Sequence, residues 1–100
     1  MPNDPNIPDA ELGDKIKLGQ ETAEYLWHVP DDADSREKLR VLLDEIKELS
    51  AKKGRTEMPR LCDELLEALR SDPTQQQVDL LHDGFNRLHK LFGAAKTGLL

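Results

Sequence analysis

The chain has 100 residues, a formal net charge of −6 and an apolar fraction of 37%, enough for one core of ordinary domain size and not for two. That acidic balance excludes a nucleic-acid backbone or an anionic membrane surface as the main partner, since both call for clustered positive charge. Tyr25, Trp27, Phe85 and Phe92 are the only aromatic residues and Cys62 the only cysteine, so the core must be leucine-rich and no internal disulfide can form.

Residues 1–8 carry three prolines and two asparagines and read as a flexible leader, with neither the basic region nor the apolar run of a signal peptide. A first helix is expected over about 9–28, capped by Asp9, with Leu12, Ile16, Ala23, Leu26 and Trp27 at helical spacing. Gly13 and Gly19 cost it roughly 1 kcal/mol each relative to alanine. Val29-Pro30 ends it, because the residue before proline avoids the α region. A second helix is expected over about 35–53. Asp34-Ser-Arg-Glu37 has capping-box spacing, Leu39, Leu42, Leu43, Ile46 and Leu49 form one face, and Gly54 supplies a left-handed stop.

A third helix is expected over about 57–71, capped by Thr56, with Pro59 in its first turn and Met58, Leu61, Cys62, Leu65, Leu66 and Leu69 as its stripe. Asp72-Pro73-Thr-Gln75 restarts the chain as cap, first helical position and capping-box partner. Val78, Leu81, Phe85, Leu88, Phe92 and Ala95 then keep one face apolar over about 73–97, roughly 37 Å of helix. Four helices, short connections and no strand signal specify an all-α fold, an up-and-down antiparallel four-helix bundle over 9–100. The apolar end, Leu99-Leu100, suggests a module cut from, or continuing into, something larger.

Self-sufficient chemistry is not legible. No Gly-rich phosphate loop and no zinc spacing of Cys and His occur, and no cofactor or metal is expected. The basic stretch Lys52-Lys53-Gly54-Arg55, with Arg60 nearby, is placed to complement a helix macrodipole. Cys62, on an apolar stripe beside Asp63 and Glu64, reads as a small buried hydrophobe. His28 reads as a terminal helix residue. His82 and His89 are seven apart and fall roughly 75–95° from the centre of their apolar stripe, on its flank; chelation on a helix takes i, i+4 spacing instead. No stretch approaches the ~20 apolar residues of a membrane span, and the expected compartment is the cytoplasm.

His89-Lys-Leu91-Phe92-Gly93-Ala-Ala95 resembles the motif of histidine-containing phosphotransfer (Hpt) domains of two-component signalling. In that family a helix-borne His is followed by Leu, Lys, Gly and Ala at +2, +3, +4 and +6. The match holds at +2, +4 and +6 and departs at +3, where Phe92 replaces the lysine; Lys90 and Lys96 are the nearby cations. A second register also fits. Arg60 to Ser71 and the helix after it are similar to the two helices that follow the family's phosphoacceptor, which would then fall near Asp44 or Glu45, where no histidine stands. The resemblance implies an Hpt-like interaction module that docks a response-regulator receiver or histidine-kinase domain, with no catalysis of its own. Its partner face would be His82, Asn86, His89, Lys90 and Gly93. The alternatives are phosphotransfer through His89, and a structural helical module that dimerises or joins larger domains, a reading motivated by Leu91 and the apolar Leu99-Leu100 end.

Overall fold

The structure, a computed structural model, describes residues 6–96. It is a four-helix bundle of α1 (Asn6–His28), α2 (Ala33–Lys52), α3 (Glu57–Leu69) and α4 (Gln75–Lys96). Each helix packs on its chain neighbours, and α4 closes the ring against α1. The α1–α4 pairing is antiparallel, for Gly13 lies across from Phe92, Gly19 from Phe85 and Trp27 from His82.

The helix stripes expected from the sequence form the core, except that Trp27 is 45% exposed and stands outside it and that the Ala95 side chain lies outside the described residues. Leu12, Ile16, Ala23 and Leu26 meet Leu39, Leu43 and Ile46, then Met58, Leu61, Cys62 and Leu65, then Val78, Leu81, Phe85 and Leu88. Leu49, Leu66, Leu69, Leu91 and Phe92 pack around that centre, partly buried. Gly54 takes φ +78° just beyond α2, the left-handed stop its position called for.

The helix starts differ from the sequence reading. α1 begins at Asn6, not at Asp9, so Pro8 belongs to its first turn, where a missing N–H costs nothing. The remainder of the leader, residues 1–5, lies outside the described residues, as do Thr97 and the chain end. α2 is capped by Asp32 rather than Asp34. The Asp32 amide closes a turn onto the Val29 carbonyl at 3.2 Å, which aims the Asp32 carboxylate to accept from the Ser35 amide at 2.9 Å. Asp34 falls in the first turn, and Glu37 turns away to Arg40, 2.6 Å distant.

Thr56 holds the cap position of α3 without a side-chain cap bond, its backbone already in the right-handed helical region. α3 ends at Leu69, two residues short of Ser71. α4 is capped by Thr74 in place of Asp72. Thr74 Oγ1 accepts from the Gln77 amide at 3.1 Å and its carbonyl accepts from the Val78 amide at 3.1 Å, leaving Pro73 outside the helix. With 22 residues, α4 runs roughly 33 Å.

The Asp32 cap has a pH signature. Hydrogen bonds from the Ser35 side chain and amide hold its carboxyl below the ordinary 3.8. A depressed folded-state pKa contributes stability that is present above the unfolded value and lost as pH falls through the folded one. Asp32→Asn keeps an acceptor and removes the charge. Thermal unfolding followed from pH 7 to pH 2 is therefore expected to show a shallower acid loss in the variant than in the wild type. Parallel curves would mean that Asp32 does not titrate against this cap.

Candidate functional site

The flank of α4 that carries His82, Asn86, His89, Lys90 and Gly93 faces α1 on one side and solvent on the other. His82 is half-buried, its ring meeting the edge of Trp27 at 5.0 Å between centroids and 70° between planes. Asn86 Oδ1 accepts a hydrogen bond from Gln20 Nε2 at 3.1 Å. His89 and Lys90 are exposed. Gly93 lies one turn further on, and a Cβ built there meets nothing within 4 Å. A single helix face thus brings all five residues together, and α1 adds Gln20 and the half-exposed Trp27. Those two escape a reading based on helix phase alone, which places a residue on its own helix and not beside its neighbour.

Phe92 turns inward from this flank. Its ring lies 3.1 Å from where a Cβ on Gly13 would stand, and the Arg55 guanidinium approaches it to 5.6 Å. The position where the Hpt motif wants a lysine is therefore committed to packing. In the alternative register, Asp44 accepts from Arg40 at 3.0 Å and Glu45 from Lys15 at 3.1 Å. Both are exposed carboxylates held in ion pairs, a common arrangement on solvated helices.

The basic stretch after α2 divides. Lys52 pairs with Glu48 at 3.3 Å, whereas Lys53 and Arg55 line a cleft of about 530 Å³ at one end of the bundle, with Thr56, Met58 and Leu91. The sequence assigned these cations to the macrodipole and did not show the cleft, because its wall from α4 is distant in sequence. No histidine or cysteine lines it. Among the described residues, no group of three or more His, Cys, Asp or Glu is placed to hold a metal ion, and no helix is long and apolar enough to cross a membrane.

Cys62 is buried in the core. Burial, then the neighbouring Asp63 carboxylate, pushes its thiol up to about 12, so almost none of the reactive thiolate exists near neutral pH. Maleimide at pH 7, read by intact mass, is expected to leave the folded chain unmodified over hours and to label it within minutes in denaturant. Equal labelling rates in the two conditions would place Cys62 outside the core.

Compared with family models, curated proteins and solved structures, the chain matches none.

Proposed function

We propose that the chain is a small helical interaction module that docks a receiver or histidine-kinase domain on the α1–α4 flank, without catalysis of its own. The observation that carries this reading is the form of that flank. Exposed His89 and Lys90 stand beside an open notch at Gly93, on an outer helix face long enough to receive another folded domain.

Docking makes Gly93 the sensitive position, since backbone at a notch can be approached closely only while no side chain fills it. Calorimetric titration with receiver and histidine-kinase domains of the same organism tests this. Gly93→Arg is expected to weaken binding at least tenfold, and His89→Gln to reduce it less while leaving the fold unchanged. Binding to none of those domains would overturn the reading.

Phosphotransfer through His89 is favoured by one observation, the exposure of that imidazole. The inward Phe92 removes the cation that would neutralise an incoming phosphoryl group. Incubation with a phosphorylated receiver, followed by intact mass, is expected to show no acid-labile phosphate on the chain. A phosphate lost in His89→Ala would make this a working phosphotransfer domain.

A further inference from the structure

Four exposed charges on the α1–α4 face are arranged about one centre. Ion pairs tie the α2 and α3 surfaces: Lys15 to Glu45, Arg40 to Glu37 and Asp44, Lys47 to Asp63, and Arg70 to Glu67. On the α1–α4 face, Lys17 and Glu24 of α1 and Asp83 and Lys90 of α4 are exposed. Among the described residues none of these four takes part in an ion pair.

Their spacing is symmetrical. Lys17 and Glu24 are seven residues apart, as are Asp83 and Lys90, so each pair lies along one line of its helix about 10 Å apart. Because α1 and α4 run antiparallel, both cations fall toward one end of the face and both carboxylates toward the other. The midpoints of the two pairs are marked by Gln20 and Asn86, which are hydrogen-bonded to each other at 3.1 Å. Trp27, 45% exposed, lies seven residues beyond Gln20 toward the acidic end.

We infer that this face pairs with a second copy of the chain about a two-fold axis running across the helices through the Gln20–Asn86 contact. That rotation exchanges the two ends. Helix α1 then lies over α1 and α4 over α4: Lys17 comes to face Glu24 of the other copy, Lys90 comes to face Asp83, and Trp27 comes against the N-terminal half of the other copy's α1, each contact made twice, as an isologous interface requires. A two-fold axis along the helices would instead set cation against cation, so the charges select the antiparallel arrangement. With principal extents of 45 × 21 × 18 Å, one side of the bundle is comparable to the ~800 Å² per partner of a standard interface. The net charge of −6 opposes association at long range, so the dimer is weak and depends on salt. This pairing goes beyond the docking reading and does not rest on it, although both use one flank and a docked signalling domain would compete with the second copy.

Charge exchange tests the geometry. Lys17→Glu with Lys90→Glu makes all four of these positions acidic, and Glu24→Lys with Asp83→Lys makes all four basic. All four sites are exposed, and circular dichroism of each double variant confirms the fold. In sedimentation equilibrium the wild type is expected to self-associate, and each double variant alone to associate at least tenfold more weakly. The equimolar mixture of the two is expected to recover a dimer. Trp27→Ala is expected to weaken the wild-type dimer at least threefold. A wild type that stays monomeric into the millimolar range overturns the pairing, as does a mixture that stays monomeric or double variants that associate like the wild type. A monomer that still binds a receiver or kinase domain would overturn this inference alone and leave the docking reading standing.

Discussion

Gly19→Ala is expected to lower the unfolding free energy by roughly 1–3 kcal/mol, although alanine is the better helix former by about 1 kcal/mol. The added Cβ would stand 2.0 Å from Phe85 Cε1 and 2.6 Å from its Cδ1, far inside van der Waals contact. Phe85 is fully buried in the core cluster, so its ring cannot swing away without displacing other core side chains. Overpacking therefore outweighs propensity. At 4–8 °C per kcal/mol for a domain of this size, the midpoint should fall by roughly 5 °C or more. Phe85→Leu costs stability by itself, yet in that background Gly19→Ala should lose most of its effect, because the atoms it strikes are gone. Gly13→Ala is the contrast. Its Cβ would stand 3.1 Å from a Phe92 ring that is only partly buried and can yield, so the variant should be neutral or slightly more stable. A Gly19→Ala protein as stable as the wild type would show that α1 and α4 lie further apart than described.

Arg36→Ala is expected to cost roughly 2–4 kcal/mol, since hydrogen bonds to a charged group contribute about 1.5–3 kcal/mol each and are not additive. Arg36 reaches from α2 to the turn between α3 and α4. One guanidinium nitrogen donates to Gln77 Oε1, the other to the carbonyls of Leu69 at 2.9 Å and Ser71 at 3.1 Å. Gln77, 6% exposed, donates in turn to the carbonyls of Ala68 and Ser71, the latter at 2.8 Å. The last turn of a helix leaves carbonyls without intrahelical partners, and at the end of α3 this two-residue network supplies donors for them. Arg36→Lys keeps the charge but offers a compact ammonium in place of a planar fork, so it should recover less than half of the loss. A double-mutant cycle with Gln77→Ala is expected to show a coupling of 0.5–3 kcal/mol. Additive effects in that cycle would mean that the two side chains hold the turn independently.

The bundle itself was legible because its information is periodic. Leu39, Leu42, Leu43 and Ile46 declare a buried face at any starting phase, and Val29-Pro30 and Gly54 end helices through intrinsic backbone restrictions. The helix starts were not legible to the residue. Asp31, Asp32 and Asp34 crowd one start, Asp72 and Thr74 another, and every one of them is a competent cap by chemistry. The turn geometry before the helix chooses among them, as the Val29–Asp32 hydrogen bond does for α2. Gly19 read as a weakness of α1 because its reason is Phe85, 66 residues away in sequence. Arg36 read as filler in a capping box because nothing near it in sequence shows the carbonyls that it serves.

The candidate flank was half legible for the same reason. Helix phase put His82, Asn86, His89, Lys90 and Gly93 on one side of α4. The same phase put Phe92 on the apolar face, but only packing showed that Trp27 and Gln20 border the flank and that the unpaired charges of α1 and α4 mirror one another about the Gln20–Asn86 contact.

The most direct test of docking is a chemical-shift map. The ¹⁵N-labelled chain, held dilute enough to be monomeric, is titrated with receiver and histidine-kinase domains of the same organism. The expected result is saturable perturbation of Gln20, Trp27, Asn86, His89, Lys90 and Gly93, with the α2 and α3 surfaces around Arg40, Glu48 and Asp63 unmoved. Perturbation confined to those α2 and α3 surfaces, or none with any of the domains, would contradict docking through the α1–α4 flank.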